Sequence, residues 1–338
     1  MQTLFLVTGA TGHLGNTIIQ KLISRGESVR ALVLEGDKLA NTLPAEAELC
    51  VGDVSNIDTL YPFFESHGND LIVIHCAGIV SITSGKNKKI YDINVKGTKN
   101  IVDLCDKLHV KKLVYVSSVH ALPVLPVGKT MSEVNTFSPR RVRGTYAKTK
   151  AEATSHVLKA ASKGLNVSVV HPSGIIGPFD NGHSPMTELF LHIGLKKLPA
   201  CVTGGYDFVD VRDVADGIIS CCQNGRNGEC YILSGSYIPV FEIVKAICNE
   251  VGTKAPKTIP IWLAKIAAPF FELYASASRK ASLFTSYSLY TLSSNAVFSH
   301  KKAEKELGYK PRPFLESVSD TVSWLRNQKR MGLDPAKS

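Results

Sequence analysis

Two side chains four residues apart, Tyr146 and Lys150 in the run Tyr-Ala-Lys-Thr-Lys, are the pair best suited to chemistry in this sequence. On a helix that spacing puts both on one face. A free phenol has a pKa near 10 and is a poor proton-transfer group at neutral pH. A neighbouring ammonium favours the phenolate and is expected to bring that pKa toward the working range. Such pairs arise often by chance, so this one needs a partner. Ser118, ending the run KKLVYVSS, supplies it: its hydroxyl can hold a substrate oxygen while Tyr146 exchanges the proton. A strand-end serine that only satisfies loop backbone is the plainer alternative. Of Ser117 and Ser118, the second is assigned.

A second constellation lies near the start: Gly9-Ala-Thr11-Gly12-His13-Leu14-Gly15. Glycines between a strand and a helix permit a tight turn and close backbone approach to a pyrophosphate, which the helix N-terminus then faces. A purely structural turn could use the same glycines, but their place directly after the first strand favours a dinucleotide. Asp53-Val54 follows a strand-like run, ELCVG. Its carboxylate could accept from the exocyclic amine of adenine, with the Val54 N–H on a ring nitrogen. Asp53 could equally cap a helix.

These residues need elements to position them. Short β-branched runs at 3–8, 29–34, 48–51, 71–76, 112–117 and 167–171 alternate with amphipathic stretches at 13–25, 56–67, 88–108 and 145–163. Continuous apolar strands such as LIVIHC fit burial on both faces. The alternation predicts an α/β fold: a doubly wound parallel sheet of Rossmann type, with a smaller, mostly helical C-terminal substrate lobe. The dinucleotide-binding domain is placed at 1–172, with 208–235 returning to it; the lobe is placed at 173–207 and 236–338. Gly164 suits the end of the helix before it. Further helices are expected near 211–223, 240–251, 260–275, 300–307 and 314–327, with a strand near 230–233. The apolar stretch 259–274 carries Lys265 and Pro269; a helix covering the substrate pocket is favoured over a membrane-surface helix, whose basic face would be thin.

Length and composition agree. The chain has 338 residues, 44% hydrophobic and 20% charged, which is ordinary for a globular protein and argues against disorder. No apolar run reaches the roughly 18 residues of a membrane span. The first residues read as a strand and not a signal peptide. Eight cysteines without a CxxC pair point to reduced thiols and a cytoplasmic setting. No metal site is expected. The net charge of +10 comes largely from short clusters such as Lys86–Lys89, Lys111–Lys112 and the run RRVR at 140–143. No nucleic-acid module accompanies them, so a solvated basic surface is expected and no nucleic-acid partner.

Taken together, TGATGHLG, GDV, HCAG, INVKGT, VYVSSV, YAKTK and HPSGIIGP resemble the extended short-chain dehydrogenase/reductase family, from residue 3 to about 327. The resemblance is nearer to the 3β-hydroxysteroid dehydrogenase and dihydroflavonol 4-reductase branch than to the sugar epimerases. It implies a catalytic set of Ser118, Tyr146 and Lys150, with Asn94 as a structural or proton-relay member. It implies a dinucleotide held by Gly9 to Gly15, with Cys76, Ala77 and Gly78 near the adenine ribose. Tyr146, Lys150, His171 and Ser173 would meet the nicotinamide side. His171 stands where relatives carry arginine before the proline. His120, Arg143 and Ile176 are substrate-contact candidates. Glu35 suits a free ribose 2′-OH, and Leu34 offers no cation for a 2′-phosphate, so NAD(H) is expected over NADP(H). Apolar content in the lobe favours a bulky hydrophobic alcohol or ketone, steroid-like or flavonoid-like, as substrate. A sugar-nucleotide epimerase or dehydratase is the alternative; its relatives place an Asn soon after the last core strand, whereas Asn first occurs here at 181. A regulator that keeps the fold but does no chemistry is disfavoured by the retained Tyr and Lys. A homodimer is left open.

Overall fold

The computed structural model describes residues 2–81, 87–182, 184–198, 200–268 and 285–331. Lys86 of the basic run, Pro199, and the segment 269–284 of the apolar stretch lie outside the described residues.

The central sheet has seven parallel strands. In chain order these are β1 (Thr3–Thr8), β2 (Ser28–Val33), β3 (Glu48–Val51), β4 (Asp70–His75), β5 (Lys112–Val116), β6 (Val167–Pro172) and, after three short strands, β10 (Cys230–Leu233). Their spatial order is β10-β6-β5-β4-β1-β2-β3. The order reverses between β1 and β4, and there the carboxyl ends of the strands open a crevice suited to a ligand. Alternation along a strand sends its side chains to opposite layers. Leu4 and Leu6 of β1 join one core cluster, and Phe5 and Val7 join the other. Helices His13–Ser24 and Val211–Asn224 cover the second layer with Ile18, Leu22, Val214 and Ile218; helices Thr98–Lys107 and Thr145–Ala161 cover the first with Ile101, Leu104, Ala151 and Val157.

The three intervening strands are β7 (Gly174–Ile176), β8 (Cys201–Val202) and β9 (Gly205–Asp210). β9 pairs in parallel with β7 and antiparallel with β11 (Ser236–Pro239), while β8 pairs with β12 (Thr258–Ile259). Helices Pro185–Gly194, Val240–Val251 and Phe314–Asn327 pack together beside these small sheets. Arg312 grips Asp213 with two guanidinium nitrogens at 2.7 and 2.9 Å, and Arg212 bridges Asp210 and Asp320 at 2.8 and 2.7 Å, tying the C-terminal helix to the sheet. Charge-assisted, two-point bonds of this kind fix orientation as well as distance.

Several expectations are corrected. No α-helix covers 56–67; two 3₁₀ turns, Ile57–Leu60 and Pro62–Phe64, replace it, because Pro62 cannot supply an interior helical N–H. The stretch 88–108 is broken by a π-helical segment, Asp92–Gly97, which holds Asn94. Lys112 is not part of a solvated basic surface. It is buried, and its ammonium donates to Gly225 O, Ser168 Oγ and Asn166 Oδ1 at 2.7, 2.8 and 3.1 Å. Among the described residues, no helix is long and apolar enough to cross a membrane, and no cluster of side chains could hold a metal ion.

Candidate active site

The glycine turn is shaped by contact. A Cβ on Gly15 would lie 2.1 Å from the Gly9 carbonyl oxygen, so the first turn of the helix can sit this close to the loop only without a side chain. The N-cap Gly12 has no side chain to cap the helix, which leaves its first N–H groups for an anion. Thr11 Oγ1 donates to Asp37 Oδ2 at 2.7 Å. Asp37 therefore stands at this loop, whereas Glu35 and Leu34 are exposed beyond β2. Sequence reading passed over Asp37; its signal was an acid followed by Lys-Leu-Ala, where its carboxylate accepts from Leu39 N and caps a short helical turn. The ring of His13 bonds the Pro178 carbonyl at 2.8 Å and joins the glycine turn to the chain after β7. Asp53 closes a tight turn onto Ser55 N at 2.8 Å, and Asn56, not Asp53, caps the turn that follows. Val54 is buried against Gly97.

Tyr146 and Lys150 share a face near the start of the helix Thr145–Ala161, beneath the end of β5. Lys150 is buried, and its ammonium donates to Val116 O at 2.8 Å, 5.1 Å above the Tyr115 ring. Burial lowers it to about 8. Burial also raises Tyr146 to about 12, with a hydrogen bond from Ser118 acting the other way. This corrects the expectation of a phenol already lowered by its lysine: desolvation of the phenolate outweighs what its neighbours give back. Ser118 and Ser117 are separated cleanly. Ser117 Oγ is tied to Thr154 Oγ1 at 2.7 Å inside the core, while Ser118 Oγ faces Tyr146 and accepts from His120 N at 3.2 Å.

Asn94 is committed on all sides. Its Oδ1 accepts from Ile79 N at 2.7 Å, and its Nδ2 donates to Ile79 O and Thr149 Oγ1, both at 3.1 Å. Thr149 Oγ1 in turn donates to Tyr146 O at 2.8 Å. A π-helical segment offsets the helix register, and here it holds the amide that joins the loop after β4 to the tyrosine helix. That loop carries Cys76, Ala77 and Gly78; a Cβ on Gly78 would come within 3.3 Å of both Asn94 Oδ1 and Lys150 Nζ. Burial pushes the Cys76 thiol up to about 12, so it is no nucleophile at neutral pH. His75, unremarked in the sequence, bonds Thr8 Oγ1 at 2.7 Å and Thr98 Oγ1 at 3.1 Å, and burial holds it at about 3.

Two candidates do not reach the cleft. His171 is wholly buried in β6, stacked on Phe137 at 5.1 Å, with Nδ1 3.0 Å from Ser118 O; burial holds it at about 4. It offers a ligand no surface. Ile176 belongs to the hydrophobic core and lines no cavity beside Tyr146. Ser173 is buried just past β6, next to Gly174 of the cavity wall.

From Tyr146 a cavity of about 240 Å³ opens toward the lobe. Met186, Leu189, Val202, Phe208, Val240 and Ile243 form its apolar wall. Its polar atoms come from His120, Tyr146, Tyr206 and Tyr287, together with Ser81, Ser288 and Thr291; no charged side chain lines it among the described residues. Arg143 lines a smaller neighbouring cavity, its guanidinium 4.5 Å over the Tyr290 ring. The helical residues 261–268 stand behind the wall, with Ala264 and Ala268 packed on Val202 and Leu289.

A parallel seven-stranded sheet, a glycine turn after β1 and a Ser–Tyr–Lys group beyond β5 define an extended short-chain dehydrogenase/reductase. The chain belongs to the NAD dependent epimerase/dehydratase family, whose profile matches residues 5–234. Over 96% of this chain and 98% of its own length, sterol demethylase protein B of Methylococcus capsulatus is 29% identical. Sterol-4-alpha-carboxylate 3-dehydrogenase, decarboxylating, of Schizosaccharomyces pombe is 27% identical over 96% of this chain and 98% of its own. Among solved structures, gox2253 superposes with a TM-score of 0.83 at 32% identity, covering 98% of this chain and 99% of that one.

Proposed function

We propose that this protein is an NAD(H)-dependent oxidoreductase that interconverts a secondary alcohol and a ketone on a bulky hydrophobic substrate, steroid-like or flavonoid-like. The observation that carries this reading is the largely apolar cavity, lined by no charged side chain among the described residues, that Tyr146 lines with Ser118 hydrogen-bonded to it. The names of the sterol-processing relatives point the same way.

The residues present fit a dinucleotide: the Gly15 contact leaves no room for a side chain, and the uncapped helix N-terminus faces the space where a pyrophosphate would rest. Gly9 to Gly15 would hold the pyrophosphate, Asp37 the adenine ribose and Lys150 the nicotinamide ribose. When bound, NAD(H) supplies or accepts the hydride. Ser118 holds the substrate oxygen, and Tyr146 gives or takes its proton. Lys150 has one N–H on Val116 O and keeps the others for ribose hydroxyls. Its positive charge near the phenol lowers the cost of the phenolate when the proton leaves. Asn94, through Thr149, fixes the turn of helix that carries Tyr146.

The sugar-nucleotide alternative fares worse on this cavity, because among the described residues no charged side chain lines it to meet a diphosphate. The test is a turnover panel of hydroxysteroids, dihydroflavonols and sugar nucleotides with NAD(H) and NADP(H). Turnover of a steroid or flavonoid alcohol is expected, with kcat/KM for NAD(H) higher by roughly tenfold or more, since Glu35 and Asp37 oppose a 2′-phosphate. Turnover confined to sugar nucleotides would sink the reading. Equal or better use of NADP(H) would sink the coenzyme assignment.

A further inference from the structure

Three phenols and one imidazole meet at the end of the cavity. The His120 ring has a tyrosine hydroxyl on each nitrogen: Tyr206 OH lies 3.0 Å from Nε2, and Tyr287 OH lies 3.2 Å from Nδ1. The His120 and Tyr146 rings stand edge to face, 5.7 Å apart. His120, Tyr146, Tyr206 and Tyr287 all line the cavity.

The arrangement is built, not incidental. His120 sits on the 3₁₀ turn Val119–Ala121, and Ser118 Oγ caps that turn by accepting from His120 N. The hydroxyl that faces Tyr146 and the imidazole are therefore held by one short piece of chain. Tyr206 comes from β9, its ring edge-on to Phe208 at 5.9 Å. Tyr287 comes from the helix Ser286–Ser293, which begins with a capping box at Thr285. Its ring lies against Gly144, just ahead of the tyrosine helix: a Cβ there would be 2.2 Å from Tyr287 Cε2, and Gly144 has φ +94°. No other residue both adopts that backbone readily and leaves the space.

Burial holds His120 at about 4, so near pH 7 the imidazole is neutral, with one N–H and one lone pair. One phenol must accept from it and the other must donate to it. Whichever tautomer forms, the accepting phenol keeps its own O–H for something else. The cluster is thus a single net donor, able to present that O–H from Tyr206, or from Tyr287, whose hydroxyl also has Thr291 in hydrogen-bond contact, in a cavity whose remaining wall is mostly apolar.

We propose that Tyr206, His120 and Tyr287 form a second grip on the substrate: they donate to a neutral acceptor oxygen on the carbon next to the one that reacts at Tyr146. The substrate class is then an alcohol or ketone with a neighbouring carbonyl or ether-like oxygen, not a plain hydrocarbon ring with one hydroxyl. A neutral acceptor is specified because, among the described residues, no charged side chain lines the cavity to compensate a buried carboxylate. This rests on the alcohol–ketone reading above.

The test uses three steroid-sized ketones of one skeleton: the plain ketone, its analogue with a second carbonyl on the neighbouring carbon, and its analogue with a carboxylate there. Binding to the protein with NAD+, which cannot reduce a ketone, is titrated calorimetrically, and turnover with NADH is followed in parallel. Wild type should bind the dicarbonyl roughly tenfold more tightly than the plain ketone, the value of one well-made buried hydrogen bond. Tyr206→Phe or Tyr287→Phe alone should keep most of that ratio, because the remaining phenol can still accept from the imidazole and donate to the ligand. The double variant should bring the ratio to about one. A wild-type ratio near one, a ratio unchanged in the double variant, or tightest binding by the carboxylate analogue would each overturn the proposal. The wild-type ratio is read without any variant, so a misfolded double mutant does not decide the matter. If the binding ratio holds while no ketone is turned over, the oxidoreductase reading fails and the grip stands. If turnover holds and the ratio is one, the grip fails alone.

Discussion

The sheet side and the lobe side of the cleft follow opposite rules. On the sheet side, polar side chains around Tyr146 are pinned to backbone or to each other: Lys150 to Val116 O, Asn94 to both polar atoms of Ile79, Thr149 to Tyr146 O. On the lobe side the wall is mostly apolar, and its phenols come from segments as far apart as residues 206 and 287, which meet His120 from the turn after β5. Groups that take part in proton transfer must hold their positions to a fraction of an ångström, and hydrogen bonds to backbone and to buried polar side chains achieve that. A wall that selects a substrate needs shape and a few placed donors, which distant segments can supply. Changes on the sheet side should therefore strike rate, and changes on the lobe side should strike selectivity.

The largest expected effect is on the sheet side. Tyr146→Phe removes only the phenolic oxygen of a buried ring, so dinucleotide binding should survive while kcat falls by on the order of 10²–10⁴. Steady-state kinetics with a cofactor titration checks this; retention of more than about a tenth of kcat would remove Tyr146 from the chemistry. Gly15→Ala comes next. With only 2.1 Å between its Cβ and Gly9 O, the loop must move. Dinucleotide affinity should drop by about tenfold or more, with a stability loss of about 1–3 kcal/mol from the forced shift. Unchanged affinity in a folded variant would mean that the loop does not shape the dinucleotide site.

The same contrast explains what could be read from the sequence. Strand β1 was bounded correctly at both ends, because TLFLVT runs apolar into a glycine turn and a buried parallel strand needs nothing further. The Tyr146–Lys150 face follows from helical periodicity alone. Ser118 could be chosen over Ser117 but not justified; the reason, Ser117 tied to Thr154, lies 37 residues away. Tyr206 and Tyr287 were invisible as a pair, since only the fold brings β9 and the helix after residue 285 onto one imidazole. The π-helical segment at Asn94 was missed because amphipathic spacing reads through a register shift of one residue. The phenol's raised pKa was missed because spacing shows the neighbouring charge and not the burial that outweighs it.

A smaller effect separates folding from catalysis. His75 is held at about 3, and His120 and His171 at about 4, each by burial. An unfolded histidine titrates near 6.5. Between those values the unfolded chain binds more protons than the folded one, so stability rises with pH there. The three contributions are complete above pH 6.5 and are lost as pH falls through 4. Denaturant midpoints should hold between pH 7.5 and 6.5, then fall steadily toward pH 4. His171→Gln, which keeps a donor for Ser118 O but does not titrate in this window, should flatten part of that slope. A midpoint independent of pH between 6.5 and 4 would contradict the burial of these rings.

The smallest effect tests the rim, where neither rule holds firmly. Arg140, Arg141 and Arg143 are exposed on and beside the 3₁₀ turn Pro139–Arg141, a few residues ahead of Tyr146. Among the described residues, Arg143 alone of the three has a defined contact near the site, over the Tyr290 ring beside His120 and Tyr287. Exposed charges at a rim alter association rate and salt dependence more than affinity, and each pair contributes about 1 kcal/mol or less. Replacing all three arginines by Ser should therefore leave kcat unchanged and change kcat/KM by less than about tenfold. For a substrate with an acidic tail, the loss should be greatest at low salt and fade as ionic strength rises. A matched neutral substrate should show almost none, since it has no charge for the arginines to steer. Equal losses on both substrates at all salt concentrations would instead assign the arginines to shaping the loop ahead of the tyrosine helix. The rim would then belong with the pinned, rate-setting side of the cleft and not with the side that selects.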